Sequence, residues 1–263
     1  CIGPILPYWV FGVGETEEWV GYITTAQFAG VLAGGIVMSR IGDIYGLKVA
    51  LLMTMVMDVI LFLITGYVKD ALLLAIVRFG AGFFTPLVLS VSWVINASDA
   101  RPEATRNTVG VNVSIWAFMM SVFYTAGAAM AGLLGEENWK WIHIITSIAA
   151  GLAFCYILTV TEPPRRDSGA KPEGVDIILK QPEYIALVVN NVSIGLVFTG
   201  GLVAGTLVLI NELNATPQEM SLYFIVTAAI HGIINFALLP AAMKRYGTPF
   251  PAMIAVAIIA VLA

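Results

Sequence analysis

Charged residues are what this sequence has least of. Only 11% of its 263 residues are Asp, Glu, Lys or Arg, whereas 59% are hydrophobic and the mean hydropathy is +0.89. An ordinary soluble domain carries about 25% charged residues, and a chain with so few would expose large apolar patches to water. The composition therefore excludes a soluble globular protein and indicates that lipid is the solvent.

The sequence also lacks the features of nucleic-acid-binding proteins, disulfide-rich proteins and enzymes. The net charge is -4, so no basic surplus points to a nucleic-acid partner, and two cysteines, Cys1 and Cys155, are too few for a disulfide framework. The sequence contains no phosphate-binding loop, no paired metal ligands and no nucleophile constellation. We therefore expect no enzyme activity, no cofactor and no metal site.

The sequence contains many long hydrophobic runs. A helix needs about 20 largely apolar residues to cross the hydrocarbon core, and seven runs reach that length: 19–38, 48–68, 71–98, 108–134, 141–161, 184–213 and 219–243. Shorter runs at 1–13 and 250–263 predict two spans that are cut at the ends of the chain. We expect an integral, multi-pass, all-α membrane protein.

Basic residues lie almost entirely in alternate loops. One set of loops holds ten of them, the other set holds only Lys69 and Lys140, and Arg78 lies inside a span. The positive-inside rule places the richer set in the cytoplasm. Its members are Arg40, Lys48, Arg101, Arg106, Arg165, Arg166, Lys171, Lys180, Lys244 and Arg245.

The polar stretch near the middle of the chain predicts a division into two halves. It is rich in proline, glycine and charge, which gives an N-terminal half at 1–161, a linker at 162–182 and a truncated C-terminal half at 183–263. A weak internal repeat supports the division, because 12–46 aligns with 213–247 without a gap. The coinciding residues are Glu18 and Glu219, Tyr22 and Tyr223, Tyr45 and Tyr246, and Gly46 and Gly247.

The turn after the first complete span carries a recognisable motif. Its sequence, SRIGDIYGLK from Ser39 to Lys48, resembles the loop between helices two and three of the major facilitator superfamily, usually written GxxxDRxGRRK. Asp43 and Gly46 match that pattern, whereas Leu47 replaces an arginine that Lys48 partly substitutes. A glycine allows a tight turn, and a carboxylate is favoured beside a helix N-terminus. The resemblance implies a gating motif made of Ser39, Gly42, Asp43, Gly46, Lys48, Asp99 and Arg106.

Further motifs follow in the order of that family, in a manner closest to its drug:proton antiporter branch. The antiporter motif of helix five lacks its proline, since the sequence has Gly127-Ala128 there, so the motifs leave antiport open. The resemblance implies two six-helix halves around a central cavity, with this chain running from the end of helix one to the start of helix nine. The remaining matches are Pro4, Pro7, Arg78 with Gly82, Pro102, Trp139-Lys140-Trp141, Glu162-Pro163-Pro164-Arg165 and Lys244-Arg245-Tyr246-Gly247.

Polar residues inside the predicted spans are the candidates for a substrate or proton pathway. A charge at the centre of a span costs roughly 2.5 to 3.5 kcal/mol, so Arg78 and Asp58 each need a partner or a function. Their similar depth predicts a buried pair, which could bind solute, carry a proton or serve only structure. His231 and Asn235 share a helix face, and they either line the cavity or hydrogen-bond between helices. At the corresponding positions the repeat has Gly30 and Gly34, which with Gly35 predict a small-residue seam for close helix packing. Weaker candidates are Gln27, Trp116 and Asn190.

These features predict a monomeric secondary transporter that moves a small organic solute by alternating access, with protons as the candidate coupling ion. Two alternatives remain open: a receptor or sensor that keeps the fold without transport, and a passive facilitator of the same fold. The expected partners are the solute, protons and the lipid bilayer.

Overall fold

A computed structural model describes residues 3–100, 106–164, 200–201, 203–238, 240–241 and 245. In this part of the chain every regular element is a helix. A 3-10 turn lies at Glu136–Asn138, a π-helical turn lies at Ile234–Leu238, and residues 203–211 are also helical. The numbered helices are α1 Leu6–Gly12, α2 Glu18–Tyr45, α3 Leu47–Tyr67, α4 Ala71–Phe83, α5 Leu87–Asp99, α6 Arg106–Leu134, α7 Trp139–Thr159 and α8 Pro217–Ile233.

Five helical stretches in the described residues are long and apolar enough to cross a membrane. They are Glu18–Tyr45, Leu47–Tyr67, Ala71–Asp99, Thr108–Leu134 and Trp139–Thr159. The all-α, multi-pass membrane fold predicted from composition is thereby confirmed. The predicted spans at 184–213 and 250–263 lie partly or wholly outside the described residues, as does most of the predicted linker. The division into halves stays a prediction.

The predicted span at 71–98 is interrupted in the structure. Helix α4 ends at Phe83 and α5 begins only at Leu87, directly after Pro86. A proline lacks the backbone N–H and its ring meets the carbonyl four residues earlier, so a regular helix does not continue through it. The helix restarts at once, since the N–H of Ser90 donates to the carbonyl of Pro86 at 2.8 Å.

The predicted loop at 39–48 is reduced to one residue. Helix α2 continues to Tyr45 and α3 begins at Leu47, so Gly46 alone connects them, with φ at +107°. Such a φ strains any residue that carries a Cβ. We call the end of the helix array with Gly46 the inner end, and the opposite end, with Lys69 and Lys140, the outer end.

Backbone contact between α2 and α4 confirms the small-residue seam. A Cβ on Gly30 would lie 2.1 Å from the carbonyl oxygen of Phe79, and one on Gly34 would lie 1.8 Å from that of Phe83. In return, a Cβ on Gly82 would lie 2.0 Å from the carbonyl oxygen of Gln27. Only glycine allows helices to approach this closely, and the approach brings the polar side chains of α2 and α4 together.

Helix α7 packs on α3 through polar contacts as well as apolar ones. The indole N–H of Trp139 donates to the carbonyl of Thr65 at 2.9 Å, and the hydroxyl of Ser147 donates to that of Val59 at 2.9 Å. The ring of Trp139 also stacks on Trp9 of α1, with 5.2 Å between the centroids. These contacts hold α1, α3 and α7 together toward the outer end.

Candidate functional site

Arg78 is the centre of the candidate site. It lies on α4, is only 5% exposed, and donates from Nη2 to Oε1 of the half-buried Gln27 on α2 at 2.6 Å. The glycine seam creates this contact, because it brings the backbones of α2 and α4 together beside both residues. The Nε and Nη1 atoms of Arg78 have no hydrogen-bond partner in the described part of the chain. Two strong donors of a buried cation are therefore open.

Asp58 on α3 is the second buried charge of the site. It is 7% exposed and interacts electrostatically with Arg78. Within the described residues the two do not hydrogen-bond, since the single protein acceptor of the Arg78 guanidinium there is Gln27. The predicted pair thus exists as an electrostatic interaction between neighbouring helices, without direct contact of the charged groups.

His143 is a buried polar residue that the sequence analysis missed. It is 1% exposed on α7, with its ring 4.6 Å from Trp139 and 6.5 Å from Phe62, centroid to centroid. Neither ring nitrogen has a hydrogen-bond partner among the described residues, and the charge of Arg78 acts on the ring. The available signal was an ionisable side chain inside a predicted span. We name Gln27, Asp58, Arg78 and His143 the Arg78 cluster.

The other predicted pathway residues stay predictions. Trp116 is half-buried on α6, and His231 is half-buried near the end of α8. Asn235 lies in the π-helical turn that follows, but its side chain is outside the described residues, as is the whole of Asn190. Among the pathway candidates, a hydrogen bond joins Gln27 to Arg78, and an electrostatic interaction links Asp58 to Arg78.

The predicted gating motif takes part in an exchange of caps between α3 and α7. The carboxylate of Glu162 accepts from the backbone N–H of Leu47 at 2.8 Å, at the N-terminus of α3. In return, the ammonium group of Lys48 donates to the carbonyls of Leu158 and Val160, at 2.9 and 2.7 Å, at the C-terminus of α7. Both charges complement the helix dipoles that they meet. We name this arrangement the α3–α7 clamp.

The clamp identifies the carboxylate at the N-terminus of α3. It belongs to Glu162, and the expected role of Asp43 beside a helix N-terminus stays a prediction. Asp43 lies exposed in the last turn of α2, because α2 runs through the predicted loop. Gly42 is buried, and a Cβ there would lie 3.2 Å from both Leu47 and Leu89.

The last three gating residues lie on three different helices. Ser39 is half-buried on α2, and Asp99 is half-buried at the end of α5. Arg106 is the first residue of α6, with its side chain outside the described residues. A gating role for these three residues stays a prediction.

At the outer end, the chain before residue 164 is joined to the chain after residue 203. The hydroxyl of Tyr8 donates to the carbonyl of Ala215, and the side-chain amide of Asn211 donates to the carboxylate of Glu17 at 2.7 Å. Helices α6 and α8 also touch closely, since a Cβ on Gly132 would lie 2.5 Å from the Cβ of Ser221. The structure therefore has the outer end closed between these two parts.

Comparison with known proteins agrees with the helical membrane fold described above. The model of the Major Facilitator Superfamily matches residues 1–263. The chain belongs to the major facilitator superfamily. This superfamily member is also similar to the aminotriazole resistance protein of Saccharomyces cerevisiae, with 33% identity over 153 residues. That similarity covers 54% of the chain but 26% of the yeast protein, so the chain spans about a quarter of the length of this relative.

Proposed function

We propose that this superfamily member is a secondary transporter that moves a small organic solute across the membrane by alternating access. The observation that carries the proposal is Arg78, a buried cation with two open donor atoms among membrane-spanning helices. A charge there costs roughly 2.5 to 3.5 kcal/mol, and each buried donor without an acceptor adds about 1 to 3 kcal/mol. A solute with an anionic or carbonyl oxygen would remove that penalty when it binds.

Gln27 supports this role by orienting the guanidinium. Its side-chain oxygen accepts one N–H of Nη2 at 2.6 Å, which leaves Nε, Nη1 and the second N–H of Nη2 as donors for a solute. That second N–H lies beside the N–H of either Nε or Nη1, and such a fork suits a bidentate acceptor such as a carboxylate. We expect solutes with such a group, or a flat heterocycle with adjacent acceptors, to bind best.

Asp58 is the proposed site of proton coupling. Burial disfavours the charged form of its carboxylate, and the positive field of Arg78 offsets part of that cost without a bond between the two groups. A negative group that binds to Arg78 weakens this field, so it favours uptake of a proton by Asp58. Solute and proton would then bind together, which predicts that a pH gradient drives transport.

The yeast relative suggests the first solutes to test. Its name associates that protein with resistance to aminotriazole, a small nitrogen heterocycle. We therefore propose small nitrogen heterocycles and small carboxylates as the starting panel.

Uptake of this panel into proteoliposomes that hold the intact protein tests the proposal, with and without a pH gradient. We expect accumulation that Arg78→Gln abolishes and Ile76→Ala preserves, because Ile76 is an exposed residue of the same helix. Asp58→Asn should keep solute exchange but lose the effect of the gradient. A wild-type protein that binds these solutes through Arg78 without moving them would contradict transport and favour the receptor interpretation.

A further inference from the structure

An open groove lies between the end of α3 and the start of α4, at the outer end. Its volume is about 510 Å³, and it is lined by Leu63, Ile64, Tyr67, Val68, Lys69 and Leu73. Val68 is buried, while Leu63, Ile64 and Leu73 are 39 to 46% exposed. The groove is thus an apolar channel on the surface of membrane-spanning helices, with one cation at its edge.

The second lysine of the outer end, Lys140, lies beside this groove. The Nζ atom of Lys140 is 4.6 Å from the ring centroid of Tyr67, which lines the groove. The backbone of α7 holds it there, since a Cβ on Gly66 would lie 3.3 Å from the carbonyl oxygen of Lys140. The two lysines that the sequence assigns to the outer loops therefore flank one tyrosine.

Neither lysine is neutralised within the described part of the chain. No ion pair joins Lys69 or Lys140 to an acidic side chain there. The neighbouring Asp70 is used locally, because its carboxylate caps α4 by accepting from the N–H of Leu73 at 2.7 Å. Glu137 is exposed in the turn before α7. Both ammonium groups keep donors for an external anion.

We propose that this groove is a binding site for an anionic phospholipid of the outer leaflet. One acyl chain lies along Leu63, Ile64 and Leu73, and the phosphate is held by Lys69 and Lys140. The charge complementarity is specific to this place, because Lys69 lines the groove and Lys140 lies against Tyr67 of its lining, whereas Arg40 and Lys48 lie at the inner end. Basic pockets between membrane helices on the cytoplasmic or matrix side bind anionic headgroups, and we propose the same charge pairing at the outer end. Tyr67 and Trp141 mark the depth of the headgroups, where aromatic rings concentrate.

Titration of the intact, delipidated protein with phosphatidylglycerol, followed by native mass spectrometry, tests the proposal. A lysine near a membrane surface contributes about fivefold to the affinity for an anionic lipid, so we expect Lys69→Gln and Lys140→Gln each to weaken binding about fivefold and their combination about 25-fold. Arg40→Gln, which removes an exposed cation at the inner end, should leave binding unchanged. Equal affinity of the double variant and the wild type would overturn the site.

The acyl-chain groove is tested separately by filling it. Leu73→Trp should block the groove and weaken binding, whereas Leu72→Trp, on an exposed neighbour outside the lining, should not. Inorganic phosphate distinguishes a lipid from a soluble anion: we expect it to compete poorly. Competition by phosphate as strong as by the lipid, together with an unaffected Leu73→Trp variant, would show an anion site without a lipid and contradict the proposal.

Discussion

The carboxylate of Glu162 accepts a hydrogen bond from the backbone N–H of Leu47 at 2.8 Å, across 115 positions of sequence. Glu162 lies just past the C-terminus of α7, where the dipole of its own helix disfavours a negative charge. The N-terminus of α3 removes that conflict by offering free N–H groups. Lys48, in the first turn of α3, donates to free carbonyls at the C-terminus of α7. Each helix thus supplies hydrogen-bond partners for the end of the other.

The clamp predicts a stabilising role for the Glu162 charge. Glu162→Ala should lower the stability of the intact protein by about 1 kcal/mol, the usual contribution of a cap, and Glu162→Gln by less, because the amide keeps an acceptor. Thermal unfolding in detergent measures the difference. Glu212→Gln, which removes an exposed carboxylate at the outer end, is the control. A Glu162→Ala variant as stable as this control would exclude the role of the clamp.

Gly46 should resist substitution for two separable reasons. Gly46→Ala places a Cβ at φ +107°, which costs about 1 to 2 kcal/mol, and 2.9 Å from Oε2 of Glu162. In the double variant with Glu162→Ala the clash with the carboxylate disappears. The double variant should therefore lose less stability than the sum of the losses of the two single variants. Gly12→Ala, with open space around its Cβ, should unfold like the wild type. Strict additivity would argue against the contact.

Two adjacent glycines provide a matched test of the α2–α4 seam. A Cβ on Gly34 would lie 1.8 Å from the carbonyl oxygen of Phe83, but one on Gly35 would lie 3.7 Å from Val88. Gly34→Ala should therefore separate the helices and reduce the yield of folded protein, whereas Gly35→Ala should be tolerated. Size-exclusion chromatography of the purified variants measures the folded fraction. The same yield for both variants would mean that the helices are further apart than described.

His143 offers a test of buried polarity. Its two ring nitrogens have no partner in the described residues, so His143→Phe should preserve or raise stability, because replacing an unpaired buried polar group with an apolar one removes a desolvation cost. Thermal unfolding of the variant and the wild type, each with and without solute, measures the difference in stability. A loss of about 2 kcal/mol would instead reveal a partner that the imidazole needs.

The closed outer end can be trapped chemically. Glu17→Cys and Asn211→Cys replace two residues whose side chains meet at 2.7 Å, in a background without Cys1 and the exposed Cys155. A short bifunctional thiol reagent should join them and reduce uptake, because alternating access requires this end to open. Glu15→Cys with Asn211→Cys is the control pair. Full uptake after complete cross-linking would contradict alternating access at this end.

The parts of the fold that follow from local composition could be predicted from the sequence. Apolar runs defined the spans, and the spacing of Gly30 and Gly34 indicated close packing. The break before Pro86 was missed, because apolar residues on both sides continue the hydropathy signal. The extension of α2 to Tyr45 was missed for the converse reason: outside the lipid a helix carries no such signal.

Contacts between distant segments explain the misses in the candidate site. Arg78 and Asp58 stand out as charges within spans, so their importance could be inferred. The bond between Glu162 and Leu47 depends on how α3 meets α7, and nothing in either segment alone specifies a partner so far along the chain. His143 follows Trp139 and Trp141 at the start of a predicted span, where amphipathic rings concentrate at the membrane interface, so its position in the sequence does not mark it as buried.

Gly46 is the single residue between α2 and α3, so the ends of the two helices cannot move far apart. Any tilt of α2 is passed directly to α3, and through Lys48 and Glu162 to the end of α7. Pro163 and Pro164 follow immediately, and their fixed φ angles make the chain stiff where it leaves the clamp. Helices α2, α3 and α7 are therefore joined at the inner end through Gly46, Lys48 and Glu162, and we expect them to move as one unit.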